Sequence, residues 1–125
     1  MNDHVDEGLR VALEYYRAWS QGDLERAWGY LAPDVECTVP SGPIAGAESY
    51  AEFFGGFAKR VKHAELLASH GTGDSALLMY EAGTDVRDSA PGAEWLTVTD
   101  GRIARVWLIF DRLPFVEAQR AAGRG

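Results

Sequence analysis

Apolar residues in the first sixty positions recur mostly at helical spacing. Val5, Leu9, Ala12, Leu13, Tyr16 and Trp19 stand three or four apart behind Asp3, Asp6 and Glu7, acids that suit a helix N-terminus, and so predict a first helix over 5–19. Gly22 stops it. Asp23 then caps a short second stripe of Leu24, Ala27, Trp28 and Leu31, which Pro33 ends. In "VECTVP" the period drops to two, Val35, Cys37 and Val39 alternating with Glu36 and Thr38 before Pro40, as in a short edge strand. "SGPIAG" reads as a loop. Helical spacing returns with Tyr50, Phe53, Phe54, Phe57, Ala58 and Val61, predicting a third helix over 47–61 across the Gly55–Gly56 pair, with Phe53 and Phe57 facing the sheet.

Beyond this point four runs have strand length: "HAELLASHGTG", "SALLMYEAGTDV", "AEWLTVT" and "RIARVWLIFD". Gly73–Asp74, Ser89–Ala90–Pro91–Gly92 and Asp100–Gly101 separate them, the last being the signal of a two-residue type I′ hairpin loop. Helices followed by an antiparallel meander predict the α+β class.

A turn at Asp100–Gly101 implies a register for the last hairpin. Uninterrupted pairing puts Glu94, Leu96, Val98, Ile103, Arg105, Trp107, Ile109 and Asp111 on one face and Trp95, Thr97, Thr99, Ala104, Val106, Leu108 and Phe110 on the other. Both faces are substantially apolar, so both need cover. Helices cover the first. A second copy of the chain is expected on the other, a homodimer through Trp95, Val106, Leu108 and Phe110.

Composition narrows the partners. The chain has 125 residues, enough for one domain, here 1–125 with an ordered core over about 5–116 and a flexible tail at 117–125. A net charge of −7 with no basic cluster argues against nucleic acid. No apolar run approaches membrane-spanning length, and with no basic leader and a single Cys37 the expected location is the cytoplasm. His4, His63 and His70 lack metal-ligand spacing, and no phosphate-binding or dinucleotide motif occurs, so neither metal nor cofactor is expected.

Candidate chemistry comes from two acids. On the register above, Asp111 and Glu94 share a face with Trp107 between them and Arg105 nearby, so that burial against Trp107 and Ile109 raises the Asp111 pKa. Tyr15, Trp19, Trp28, Phe53, Phe57, Met79, Arg105, Trp107 and Ile109 are the expected lining of a pocket for a small, largely apolar molecule.

Two helices, a short strand, a third helix with "YAEFF" and a meander ending "AEWLTVTDGRIARVWLIFD" resemble the SnoaL-like branch of the nuclear transport factor two-like superfamily, from about Val5 to Phe115. The resemblance implies a cone-shaped curved antiparallel sheet wrapped around three N-terminal helices, with an interior pocket and dimers through the outer sheet face. It implies a cofactor-independent cyclase or isomerase acting on a small apolar or polyketide-like molecule, in which the aspartate matching Asp111 is the acid/base. The alternatives are a non-catalytic binding module and epoxide hydrolysis, for which Asp85, Arg87, Arg105 and Asp111 stand out of the family's order. The carboxylate base that ketosteroid isomerases carry after the first strand is missing from "CTVPSGP".

Overall fold

The computed structural model describes residues 7–111 and 113–124; Asp3, His4, Val5 and Asp6, on which part of the first-helix and histidine readings rests, lie outside them. In chain order the elements are α1 (Glu7–Ser20), α2 (Leu24–Trp28), β1 (Leu31–Val39), β2 (Gly42–Ala45), α3 (Ala47–Ala58), β3 (Val61–Thr72), β4 (Ser75–Thr84), β5 (Ala90–Thr99), β6 (Arg102–Phe110) and α4 (Leu113–Arg124). The strands form one curved, unclosed sheet in the order β2-β1-β6-β5-β4-β3. No helix among the described residues is long and apolar enough to cross a membrane.

Local signals set most of these elements. Asp23 caps α2 by accepting a hydrogen bond from the Arg26 amide at 3.3 Å, satisfying one of the first-turn donors that a helix leaves open. Asp100 and Gly101 both have positive φ, 54° and 79°, as a type I′ loop requires. The stripe of α1 buries Val11, Ala12, Tyr15, Tyr16, Ala18 and Trp19 against the concave face of the sheet. From α3 come Tyr50, Phe54 and Ala58, with Trp19 and Phe54 edge to face at 5.1 Å.

Several boundaries differ from the sequence reading. Residues 42–45, expected as loop, pair with β1 as an edge strand, so β1 is internal; its other neighbour, β6, runs parallel to it. Pro33 lies inside β1, Val61 opens β3 instead of closing α3, and Ala90–Gly92 begin β5. Pro33 sits where the β1–β6 register shifts, between Leu31 and Glu36, while Val61 answers to Thr84 and Gly92 to Phe110, distant partners that a local turn signal does not see. Residues 117–124, expected as tail, belong to helix α4.

The largest correction is a β-bulge. The β5–β6 ladder pairs Thr99 with Arg102 and Val98 with Ile103, but then Thr97 with Arg105, leaving Ala104 as an extra residue on β6. Parity flips beyond it. Glu94 pairs with Leu108 and Trp95 with Trp107, instead of Glu94 with Trp107. Val106 and Leu108, expected at a dimer face, are therefore buried in the core, and Phe110 points inward with them, while Trp107 and Ile109 lie outside at 50% and 60% exposure.

Candidate functional site

The open end of the cone holds a cavity of about 310 Å³. One wall is the aromatic face of α3 (Phe53, Phe54 and Phe57), with Gly56 opening onto the space; facing it are Leu108 and Phe110 from β6 and Ala90–Gly92 at the start of β5. Phe110 stands 6.5 Å, centroid to centroid, from both Phe53 and Phe57. The turn residues Pro40 and Ser41, together with Arg60, Val116 and Gln119, complete the lining, so that α4 contributes to the mouth.

Tyr80 lies among these lining residues. Its ring is laid across the neighbouring strand at Gly92, its cross-strand partner, so closely that a Cβ at Gly92 would sit 2.9 Å from Tyr80 Cε1. Only glycine leaves that room. Two residues further along the same face of β5 is Glu94, 0% exposed, with Leu78 and Leu108 as its cross-strand neighbours.

Glu94 shares its interior with three phenols, Tyr15, Tyr50 and Tyr80. Burial pushes its carboxyl up to about 7, while the hydroxyls of Tyr80 and Tyr50 pull the other way. No hydroxyl among the described residues reaches full hydrogen-bond geometry on either carboxyl oxygen, and the Tyr15 and Tyr50 hydroxyls and Trp19 Nε1 are likewise buried without a partner. Such polar groups are costly in an apolar interior, and their convergence marks a place built for chemistry or for a ligand. Tyr15, Tyr50 and Tyr80 are all raised well above the usual phenol value, by burial first and then by nearby groups, Glu94 among them. They stay neutral donors. Burial and Glu94 also push the Cys37 thiol up to about 12, which makes it a poor nucleophile.

The sequence-derived candidates thus divide. Glu94, Tyr15 and Trp19 come together in the interior, and Phe53 and Phe57 line the cavity above them. Trp28 packs on Phe54 at 6.3 Å, away from the cavity lining. Met79, Trp107, Ile109 and Arg105 are on the outer surface, where Arg105 faces Glu36 at 3.8 Å. Asp111 is also outside the lining, with Oδ2 3.5 Å from Arg87 Nη1 and its side chain 56% exposed. For the three β6 positions, Arg105, Trp107 and Ile109, and for Asp111 just beyond the strand, the cause is the Ala104 bulge and the parity it sets. Asp85, Arg87, Arg105 and Asp111 form no single constellation, since Asp85 pairs with Arg60 and Arg105 is on the far face. Tyr50, Tyr80, Gly92 and Arg60 are not among the sequence-derived candidates: the first two have ordinary core spacing, and Gly92 reads locally as part of a turn.

A family model described as SnoaL-like domain matches residues 12–106. A crystal structure from Kribbella flavida DSM 17836 is 38% identical with a TM-score of 0.89, covering 96% of this chain and 99% of that one. The fold is shared with a candidate ketosteroid isomerase from the same organism, 20% identical at TM-score 0.72 over 86% of this chain and 79% of that one. It is shared as well with a candidate polyketide cyclase from Xanthomonas campestris pv. campestris, 19% identical at 0.72 over 92% and 98%. No match is found among curated proteins.

Proposed function

The chain belongs to the SnoaL-like domain family, and from that premise we propose that it is a cofactor-independent acid/base enzyme of the cyclase or isomerase type, which holds a small, largely apolar molecule in the aromatic cavity and moves a proton on it through Tyr80 and Glu94. The observation that carries the reading is Glu94, fully buried beneath the cavity with a pKa of about 7. At that value acid and carboxylate are both populated near neutrality, the condition under which a general acid/base works best.

The order of groups defines the chemistry. Tyr80 lines the cavity and Glu94 lies behind it, so the phenol is what meets a substrate oxygen. In enolisation the α-proton passes to solvent water in the open cavity, and as the carbonyl oxygen gains charge the Tyr80 hydroxyl donates its proton to it. Glu94, as the acid, replaces the Tyr80 proton and is left as carboxylate; the reverse step restores it. A neutral acid and a neutral phenol in an apolar site cost little reorganisation when that charge develops. Proton transfer beside a carbonyl is also the chemistry implied by the names of the isomerase and cyclase relatives.

Hydrogen–deuterium exchange tests this without the natural substrate. In D2O, 2-tetralone and 4-phenyl-2-butanone should exchange their α-protons faster with the protein than in buffer, and Glu94→Gln and Tyr80→Phe should each remove at least about a hundredfold of that gain. Buffer-rate exchange of ketones that demonstrably bind would support a second reading, a ligand-binding module without turnover. That reading is favoured by one observation: neither Glu94 nor Asp111 is itself part of the cavity wall.

A homodimer is part of the same proposal, with a corrected face. Leu77, Met79, Trp95, Trp107 and Ile109 are 47–60% exposed on the convex side, with the rings of Trp95 and Trp107 stacked at 6.4 Å.

A further inference from the structure

The cavity's walls are apolar, and its floor is a phenol, but its mouth carries a cation. Among the described lining residues Arg60 is the only charged one; no Asp or Glu lines the space. A guanidinium at the mouth of an aromatic pocket, in a chain of net charge −7, calls for a partner of opposite sign.

The local structure fixes how that guanidinium is presented. The last turn of α3 closes with the Lys59 amide donating to the Gly55 carbonyl at 3.0 Å and the Arg60 amide to the Phe57 carbonyl at 2.9 Å. β3 begins at Val61, paired with Thr84, which places Arg60 and Asp85 one rung further at the open end of the sheet. Arg60 then donates twice to the Asp85 carboxylate, from Nε at 2.9 Å and from Nη2 at 3.2 Å. That fork holds the guanidinium plane. It also consumes only the side edge of the group, leaving the end edge, one Nη1 hydrogen and the outer Nη2 hydrogen, which has the geometry for a second carboxylate. Asp85 is itself held below the usual carboxylate range, first by the Arg60 hydrogen bond. It is committed to Arg60.

We propose that the ligand of this cavity is an amphipathic acid, whose carboxylate docks on the end edge of Arg60 while its apolar body lies among Phe53, Phe57 and Phe110. The inference rests on the cavity being a binding site, as argued above, and adds the substrate class. Asp85 acts on binding through Arg60, as a positioning residue. A cationic ligand meets Arg60 with no lining acid to receive it, and a neutral one leaves the end edge unused.

Calorimetric titration of three matched probes decides the matter: 4-phenylbutanoate, its methyl ester and 4-phenylbutylamine. The acid should bind the native protein about tenfold or more tightly than the ester or amine, as expected for charge-assisted, two-point hydrogen bonding. Arg60→Gln should bring the acid to within about twofold of the ester and leave the ester unchanged, with Arg60→Lys, which keeps the charge and loses the fork, in between. Raising NaCl should weaken the acid alone. An ester that binds as well as the acid, or an acid preference that survives Arg60→Gln, overturns the assignment while the apolar site stands. Failure of all three probes overturns the site and this inference together.

Discussion

A single carboxyl, Glu94, links the interior of this protein to pH. Its folded pKa of about 7 stands above the ordinary 4.5, so the fold favours the protonated acid. Stability from this group is therefore complete below about pH 4.5 and is lost as pH rises through about 7. The whole span is worth about 3.5 kcal/mol at about 1.4 kcal/mol per unit. Glu94→Gln carries no charge at any pH, so its stability relative to the native chain should grow by up to that amount between pH 5 and pH 8. Urea unfolding at the two pH values measures it, and a difference that stays constant would remove the basis for the acid/base role. Asp111→Asn is the matching control. Its exposed contact with Arg87 is a surface ion pair, so the change should cost less than about 1 kcal/mol and leave deuterium exchange intact.

Between strands, the site depends on how closely β4 and β5 approach. The Tyr80 ring occupies the space that a side chain at position 92 would take, and it stands there among the residues that line the cavity. Gly92→Ala should push the ring aside. Because Tyr80 is buried and also packs on Trp19 at 5.1 Å, the shift has little room, and a loss of about 1–3 kcal/mol is expected, as for other overpacked cores. Exchange activity should fall with it, since the donor leaves its place. Thermal melting and the ketone assay, run on the same sample, check both. An unchanged melting temperature with full activity would show that the strand pair tolerates the methyl and that Tyr80 is not positioned by it.

For the molecule as a whole, the question is what covers the convex face. Two stacked tryptophans with Leu77, Met79 and Ile109 form an apolar surface that helices α1 and α3, on the concave side, do not reach. At roughly 25 cal/mol per Å² such a patch favours association once its cost in freedom is met, and central tryptophans are where interface energy concentrates. The native chain should sediment as a dimer at micromolar concentration. Trp107→Lys with Ile109→Lys should weaken it by at least about a hundredfold without unfolding the core, since neither side chain is buried in the protomer. A native chain that sediments as a monomer at tens of micromolar would refute the pairing.

Sequence alone determined what depends on neighbours within a few residues. The stripe of α1, the Asp23 cap and the Asp100–Gly101 loop follow from side-chain spacing, one short acceptor and two positive-φ positions. The unbroken alternation of β5 likewise puts Glu94 on one face with Leu96 and Val98, and all three are buried together. Tertiary structure decided the rest. One extra residue at Ala104 chose which half of β6 enters the core, and so took Asp111, Trp107 and Ile109 out of the site and brought Leu108 and Phe110 into it. Both strand faces are apolar, so local pattern is indifferent between the two registers; the choice falls to packing against α1 and α3. Arg60 and Asp85, 25 residues apart, meet only because β3 and β4 pair, and Glu94 acquires its raised pKa only when the assembled interior buries it, against the downward pull of the Tyr80 and Tyr50 hydroxyls. Desolvation is a property of the assembled interior, and no stretch of chain carries it alone.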